Sequence, residues 1–368
     1  MKRILVLSAI MAAGSCMMAQ ENGNDNAGGL EISGYASVAA ARSGSGNGGF
    51  YIPEMSIGLS YDFGKGWKLN GVLMYDQGDT EMLKALGGDD VGSDDEGSGN
   101  LDYEEVWLEK SFSDQFNVRA GKMVVPVGAV NIADPHEQFS IFDGEESQSI
   151  LPCAWTQFGV NLWGDINDWH YEVMVLQSLN TDNFNTENWI KDGIGNPYGK
   201  ADNYGGAARI DWNGIDGLRV GVSGYIDRNT SVGSMDFEYN RKKWIVRGDV
   251  DYGHVGDADK ISLKNDCDIA SNALACSFEV GYDVFSLIQK MKERQKLYAY
   301  AHYGYYNSMQ SVSNSMTADP YLKRHLFSCG LNFRPNEHIT VRGEFLNRFM
   351  ESGIKNQQTT TIGLSYAF

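Results

Sequence analysis

Hydrophobic and polar residues alternate with a period of two along most of the chain. In the final stretch, TTTIGLSYAF, residues Ile362, Leu364, Tyr366 and Phe368 share one parity, and small or polar residues occupy the other. Successive side chains of a β-strand point to opposite faces, so this pattern predicts a strand with one apolar and one polar face. The same alternation recurs from Leu30 onwards and predicts sixteen strands in all.

The connections between the predicted strands alternate between short and long. The turns GKG, DIND, NGIDG and RPNEH are short, and IQKMKERQK is a longer turn on the same side. Most of the other connections are long and rich in Gly, Asp, Asn and Ser. Short turns on one side and long loops on the other are typical of bacterial outer-membrane barrels. We therefore predict an all-β fold, a 16-stranded antiparallel transmembrane β-barrel.

The positions of tryptophan favour the same fold. Amphipathic aromatic rings concentrate at the two membrane–water interfaces of such barrels. A secreted pair of β-sandwiches is the alternative, and it would also alternate, but it does not require aromatic residues beside one class of turn. Five of the eight tryptophans lie beside short turns: Trp67, Trp163, Trp169, Trp212 and Trp244.

The first residues predict export from the cytoplasm. Two basic residues precede the apolar stretch Ile4–Ala13, which is too short to span a bilayer as a helix. We predict a signal peptide over residues 1–19, a flexible lead-in over 20–29 and the barrel over 30–368. The expected location is the outer membrane of a Gram-negative bacterium. Cys16 leaves lipid attachment open as an alternative, although the residues before it lack the usual leading Leu.

The last strand is predicted to pair with the first, LEISGYASVAAA, so that no strand edge meets lipid unpaired. Its apolar parity, which includes Thr360, should face lipid, with Phe368 at the interface beside the short turns. The predicted surroundings are outer-membrane lipid and lipopolysaccharide. A terminal aromatic residue resembles the signal that the barrel-insertion machinery reads in outer-membrane proteins, so Phe368 is also the predicted insertion signal.

Charge narrows the range of partners. The formal net charge is −18, with 48 acidic and 30 basic residues. This balance argues against a nucleic-acid partner, because such binding depends on Lys and Arg that neutralise phosphates. It fits a solvated surface or the passage of cations. The mean hydropathy of −0.35 is compatible with a barrel, since only alternate residues of a strand meet lipid.

The third long connection, Val125–Ala154, is unusually apolar for a loop. An exposed loop would not keep so many apolar side chains, so we predict that this extracellular loop folds into the barrel. No Lys or Arg occurs between Met123 and Ile190. A ring of carboxylates would favour cations, whereas the alternative is that the acids coat the outer surface. The predicted constriction residues are Asp134, Glu137, Asp143, Glu145 and Glu146.

If the apolar parity faces lipid, the opposite parity lines the interior. Charged residues on the lipid face would cost several kcal/mol near the midplane, so the direction follows from the pattern. Ion pairs between neighbouring strands are the alternative to a role in solute binding. The predicted wall residues are Arg119, Glu172, Arg209, Arg219, Asp227, Arg247, Asp249, Arg342, Glu344 and Arg348.

Two stretches, NVRAGKMVVPVGAVN and ILPCAWTQFGVNLWG, resemble the phosphate-selective porin O and P family and its relatives in Bacteroidetes. The resemblance implies a sixteen-stranded porin, typically a homotrimer, with its third loop folded inward. The matching residues are Arg119, Gly121, Lys122, Pro126, Gly128, Asn131, Glu145, Glu146, Ile150, Pro152, Trp155 and Gly159.

Phosphate selectivity does not follow from this resemblance. In that family it needs basic residues at the constriction, and this chain has none between Lys122 and Lys191. Asp143 lies where relatives often carry Arg. The sequence therefore predicts a passive porin for ions and small hydrophilic solutes that favours cations.

The sequence leaves two other functions and one covalent link to consider as alternatives. A barrel enzyme would need a nucleophile beside a base, and the pair His136 and Asp134 has none, so we predict no enzyme. A surface adhesin or receptor would use extracellular loops such as DDVGSDDEG, which lacks the spacing of a calcium loop. No CxxC occurs, so neither a metal nor a cofactor is predicted. Cys267 and Cys276 lie in one polar segment and form a candidate disulfide.

Overall fold

The computed structural model describes most of the chain from residue 29 to the C-terminus. The predicted signal peptide, nearly all of the lead-in, Asp134, Asp143 and the side chain of Glu145 lie outside the described part. The described residues are 29–44, 46, 48–76, 100–133, 136–140, 145–152, 154–194, 203–288, 295–312, 316–351 and 354–368.

The described residues form seventeen strands and few helices. The strands are β1 (Leu30–Ser43), β2 (Gly48–Tyr51), β3 (Glu54–Gly64), β4 (Trp67–Asp76), β5 (Asn100–Ser113), β6 (Phe116–Val124), β7 (Thr156–Ile166), β8 (Trp169–Gln177), β9 (Tyr204–Ile215), β10 (Leu218–Ile226), β11 (Thr230–Arg241), β12 (Trp244–Val255), β13 (Asn272–Asp283), β14 (Lys296–Ser311), β15 (Lys323–Arg334), β16 (Ile339–Met350) and β17 (Gln357–Ala367). The α-helices are Glu145–Gln148 and Ala258–Asn265, and the 3-10 turns are Val130–Ile132, Thr181–Asn183, Lys191–Gly193, Val284–Leu287 and Pro320–Leu322. Among these elements, no helix has the length and apolar character needed to cross a membrane.

The strands form one closed antiparallel sheet. β1 pairs with β17 from Tyr35 opposite Ala367 to Ser43 opposite Thr359. The closure extends to the last residue, because the N–H of Phe368 donates to the carbonyl oxygen of Gly34 at 3.0 Å. The predicted antiparallel barrel, closed by its first and last strands, is therefore confirmed.

The seventeen strands occupy sixteen positions in the barrel. β2 and β3 both pair with β1, β2 opposite residues 39–42 and β3 opposite residues 30–36. The two are one strand interrupted at Pro53, which has no N–H to contribute to the ladder. The strand number predicted from the sequence is thus confirmed once the short β2 is counted with β3.

Alternate residues face opposite sides of the wall, as the period of two predicts. In β17, Ile362 is 65% exposed and Leu364 48%, whereas Thr361 and Ser365 on the other parity are buried. Exposed aromatic side chains lie beside the short turns on the outer face, and they include Trp67, Trp169 and Trp244. Trp163 is different: it lies on the inward parity, and its indole N–H donates to Glu109 at 2.9 Å.

Part of the inward face is apolar and buried, whereas the sequence predicts a charged, solvated wall. Near the long loops the inward parity becomes apolar, and Met174 and Leu176 of β8 are buried there. They join a core formed with the third (residues 125–155), fourth (178–203) and sixth (256–271) connections. The fourth and sixth connections also interlock, since Trp189 donates its indole N–H to the carbonyl of Ala270 at 2.8 Å. These three connections therefore pack against the apolar end of the inward-facing side chains.

Candidate functional site

The third connection contacts the inner parity of the wall through its peptide groups. Arg334 donates to the carbonyl oxygen of Glu137 at 2.7 Å, and Arg247 reaches the same oxygen at 3.3 Å. Arg342 donates to the carbonyl of Gln138 at 3.3 Å. Three arginines thus donate hydrogen bonds to the backbone of this segment. Peptide carbonyls removed from water need such partners.

Phe139 lies at the centre of this contact. Its side chain is 0% exposed. The ring lies 5.3 Å from that of Tyr300 and 5.2 Å from that of Tyr298, measured between centroids. It fills the space above Gly281, where an added Cβ would come within 2.3 Å of the ring. Only a glycine at position 281 leaves room for the phenyl ring.

A second contact of the third connection is acidic. The helix Glu145–Gln148 places Glu146 3.2 Å from the ring nitrogen Nε2 of His302. The hydroxyl oxygen of Ser147 lies 2.5 Å from a carboxylate oxygen of Asp249 and 2.5 Å from one of Asp251. Burial raises the pKa of Glu146, while the nearby His302 acts in the opposite direction. Three carboxylates therefore meet where this helix touches β12.

Next along the wall, β9, β10 and β11 carry a buried ion network. Arg209 forms paired hydrogen bonds with Asp211 at 2.7 and 2.8 Å and with Asp236 at 2.9 Å. Arg219 donates to Asp236 at 2.6 Å. Two-pronged arginine–carboxylate bonds of this kind are strong and fix geometry. Because these charged groups are paired with one another, they stabilise the wall rather than bind a solute.

A more exposed group lies near the short turns. Arg119 pairs with Glu109 at 2.9 Å, and its guanidinium lies 4.3 Å from the ring centroid of Trp107. On the neighbouring strands, Glu172 accepts a hydrogen bond from Asn161 at 2.6 Å. The side chain of Arg119 keeps 24% of its surface exposed. Solvent therefore reaches the inner wall from the short-turn end.

The remaining predicted wall residues hold local structure. Glu344 accepts a hydrogen bond from Ser140 of the third connection at 2.6 Å. Arg348 donates to the hydroxyl of Thr359 at 3.2 Å. Asp227 lies just beyond β10 and accepts the backbone N–H of Thr230 at 2.7 Å, so it shapes the turn into β11. None of these contacts was specified by the alternating pattern.

Several inward residues were not predicted from the sequence, and four of them carry charge or titrate: Glu109, Glu279, His302 and Arg334. Each falls on the inward parity of its strand, so the alternation itself contained the signal. His302, for example, is buried, whereas the next residue along the strand, Tyr303, is exposed. The parity rule applied to every strand would have found all four.

The histidine of the enzyme hypothesis has a structural partner. The ring nitrogen Nε2 of His136 lies 2.7 Å from the carbonyl oxygen of Glu337, in the turn between β15 and β16. This contact ties the third connection to the short-turn end of the barrel.

The candidate disulfide is absent. Cys267 and Cys276 are both free thiols. Cys276 lies on the outward parity of β13, whereas the sulfur of Cys267 contacts the carbonyl oxygen of Phe184 in the fourth connection at 3.7 Å. The two thiols thus lie in different surroundings, one on a strand of the wall and one against the fourth connection, which their closeness in sequence does not reveal.

A metal site has no support within the described ranges, where no three His, Cys, Asp or Glu side chains are arranged to hold an ion.

No protein-family model matches the chain. An uncharacterized protein of Aquifex aeolicus (strain VF5) is 24% identical over 280 residues, which are 68% of this chain and 62% of that protein. The chain therefore spans less than two thirds of the length of this relative.

Solved structures of outer-membrane proteins are similar in fold. The Salmonella typhi OmpF complex with daunomycin has a TM-score of 0.59 at 11% identity and covers 94% of this chain and 99% of that chain. An anion-selective porin from Comamonas acidovorans has a TM-score of 0.57 at 9% identity, with 93% and 100% covered. The trimer form of in-vitro folded OmpT from Vibrio cholerae has a TM-score of 0.53 at 13% identity, again with 93% and 100% covered. At these identities the likeness shows the fold, and these neighbours include both a trimer and an anion-selective channel.

Proposed function

We propose that this chain is an outer-membrane porin that lets ions and small hydrophilic solutes diffuse passively and favours cations. The barrel fold and its porin neighbours support the channel class. We infer that the long connections are extracellular and that the third connection lies in the lumen as its constriction. Assembly as a homotrimer is part of the proposal, on the basis of the resemblance and of the trimeric neighbour.

The observation that carries the cation preference is the distribution of charge around the third connection. On one side Glu146, Asp249, Asp251 and Glu279 lie close together, with His302 3.2 Å from Glu146 and 3.8 Å from Glu279. Carboxylates gathered at a constriction attract cations and repel anions. The cluster stays negative even where His302 is positively charged and one of the four carboxyl groups is protonated.

On the other side of the third connection, the arginine side chains already have hydrogen-bond or ion-pair partners within the protein. Arg334 and Arg342 donate to peptide carbonyls of this connection, and Arg247 also pairs with Glu238 at 3.3 Å. An anion-selective constriction needs guanidinium donors that face the solute. This arrangement supports a diffusion pore over a phosphate-selective one.

The test is electrical. The purified full chain is reconstituted in planar bilayers, and the reversal potential is measured in asymmetric potassium chloride. We expect discrete conductance steps and a reversal potential of the sign that indicates potassium preference. Folded protein that leaves the bilayer silent would contradict the channel. A chloride preference would contradict the cation preference and leave the channel standing.

Glu146→Gln and Glu279→Gln should each reduce the potassium preference, because each removes one carboxylate from the cluster. The matched control is Glu187→Gln, which removes the same charge from an exposed position in the fourth connection. Equal effects of all three variants would locate the preference in general surface charge rather than in the constriction. Retained heat-modifiable gel mobility verifies that each variant is folded.

A non-transport surface barrel is the second candidate. The interlocked fourth and sixth connections favour it, because Asn265 donates to the carbonyls of Thr181 and Phe184 at 2.8 Å and joins the two into one packed surface. A folded protein without conductance would favour this function.

A further inference from the structure

Ser147 makes two short oxygen–oxygen contacts, but its hydroxyl group has only one hydrogen to donate. Its hydroxyl oxygen lies 2.5 Å from Oδ2 of Asp249 and 2.5 Å from Oδ2 of Asp251. A serine hydroxyl carries one hydrogen, and an ionised carboxylate carries none. Two oxygen–oxygen contacts at this distance need two hydrogens, since short O–H···O bonds require a hydrogen between the oxygens. One hydrogen is therefore missing unless a carboxyl group provides it.

Burial makes an ionised pair costly at this place. Asp251 is 0% exposed, and the hydroxyl group of Ser234 on β11 lies opposite it in the sheet. The remaining oxygen of Asp249 accepts a hydrogen bond from the hydroxyl of Ser277. Two carboxylates that share one site and are shielded from water do not both ionise readily. The observed partners of the pair, Ser147, Ser234 and Ser277, are neutral hydroxyl groups.

The charged neighbours do not supply the missing positive charge. Arg247 on the same strand pairs with Glu238 of β11 and Glu279 of β13. Asp236 of β11 is held by Arg209 and Arg219. His302 of β14 contacts Glu146 and Glu279. The charged and titratable groups around the pair are thus Glu146, Asp236, Glu238, Arg247, Cys276, Glu279 and His302.

We propose that Asp249 and Asp251 bind one proton between them at neutral pH, and that this proton joins the third connection to the wall. One carboxylic acid then donates to Ser147, and Ser147 donates to the other carboxylate, so every short contact has its hydrogen. The helix Glu145–Gln148 is held to β12 through this chain. Loss of the proton leaves two repelling carboxylates with one hydroxyl donor between them, and the helix separates from the wall.

The proton shared by Asp249 and Asp251 determines how the attachment of the third connection depends on pH. A group that is protonated in the folded state contributes stability at low pH and loses it as the pH rises. The contact between Glu146 and His302 changes in the same direction, since it is an ion pair only while the histidine is protonated. The third connection should therefore loosen towards alkaline pH, and variants of the aspartate pair must separate the two causes.

Infrared spectroscopy of the folded full chain in detergent tests the proton directly. Wild-type protein should show the carbonyl stretching band of a protonated carboxylic acid at neutral pH, and this band should disappear as the pH rises. Asp251→Asn and Asp249→Asn should each weaken the band at neutral pH, because an amide supplies the hydrogen and the remaining aspartate ionises. Asp216→Asn, at an exposed aspartate, is the control and should leave the band unchanged. A neutral-pH band that is absent, or that neither variant weakens, would overturn the proposal.

Single-channel recording tests the consequence, and this arm rests on the proposed channel function. Wild-type conductance and open-channel noise should rise from mildly acidic to mildly alkaline pH, and Asp251→Asn should flatten that profile. The same profile in Asp251→Asn as in wild type would show that the proton does not control the third connection. A silent bilayer together with a variant-sensitive infrared band would refute the channel function and support the bound proton.

Discussion

Phe139→Ala should detach the third connection from the barrel wall. The phenyl ring is fully buried and stacks on Tyr300 with an interplanar angle of 18°. The guanidinium groups of Arg247 and Arg334 lie 5.6 and 5.8 Å from its centroid. Alanine removes all of these contacts and leaves the peptide carbonyls of the same segment in place.

The size of the effect follows from these contacts. Truncating a buried phenylalanine to alanine costs about 3–5 kcal/mol, and an exposed cation–π contact adds only about 0.5–1 kcal/mol. Hydrogen bonds that remain, such as those from Asn332 to the carbonyls of Gln138 and Phe139 at 3.3 and 3.2 Å, keep part of the anchoring. We expect the free energy of opening to fall by about 3 kcal/mol, which raises the open population about a hundredfold.

Hydrogen–deuterium exchange of the folded protein in detergent measures this opening. Residues 136–140 should exchange faster in Phe139→Ala, while the strands keep their wild-type protection. Phe327→Ala is the matched control, because Phe327 lies on the outward parity with 41% of its surface exposed. Unchanged exchange at residues 136–140 in Phe139→Ala would refute the anchoring role of the ring.

A double-mutant cycle with Gly281 tests whether the ring of Phe139 packs against that position. In Gly281→Ala the new methyl group would come within 2.3 Å of the ring of Phe139, so the single variant should also open the segment. In the double variant Phe139→Ala/Gly281→Ala the clash is absent, and opening should match Phe139→Ala alone. Additive effects of the two substitutions would show that the residues act independently.

Three further predictions concern stability, assembly and thiol chemistry. Asp236→Asn should lower the free energy of unfolding in guanidinium by about 3–5 kcal/mol, since it breaks a buried arginine pair, whereas Asp216→Asn at the exposed pair with Arg241 should cost about 1 kcal/mol or less. Deletion of Phe368 removes two backbone hydrogen bonds with Gly34 and the predicted insertion signal, so the yield of heat-modifiable barrel should fall, and Phe368→Tyr should preserve it. Burial raises the pKa of the Cys267 thiol, so its alkylation at neutral pH should be slower in folded than in unfolded protein and should accelerate as the pH rises. Mass spectrometry of the alkylated peptides checks this, and equal rates in the two states would contradict it.

The fold could be predicted closely because its signals are local. Alternation along each strand shows which side chains face outward, and the structure bears this out in β17, where Ile362 is exposed and Thr361 is buried. Strand number, antiparallel order and closure of β1 on β17 followed from the same pattern and from the lengths of the connections. The split of the second strand at Pro53 had a visible cause as well, in a residue that cannot donate to the ladder.

The candidate site was predictable only as a set of inward residues, not as contacts. Arg209 meets Asp236 because β9, β10 and β11 stand in a particular register, and the sequence pattern contains no information on that register. Glu146 is predicted at a constriction, but its approach to His302 across 156 positions of sequence depends on how the third connection folds against β14.

The sequence by itself determined the barrel and the sides of its wall, because the geometry of the extended chain places neighbouring side chains on opposite faces. Only the tertiary structure decided which groups meet the inward-facing side chains: Phe139 above Gly281, arginines on peptide carbonyls, and Ser147 between Asp249 and Asp251. It also placed Cys276 on a strand of the wall and Cys267 against the fourth connection. The physical reason is that these contacts join residues distant in sequence, and they exist only after sixteen strand positions have closed into one curved surface with the third connection against it.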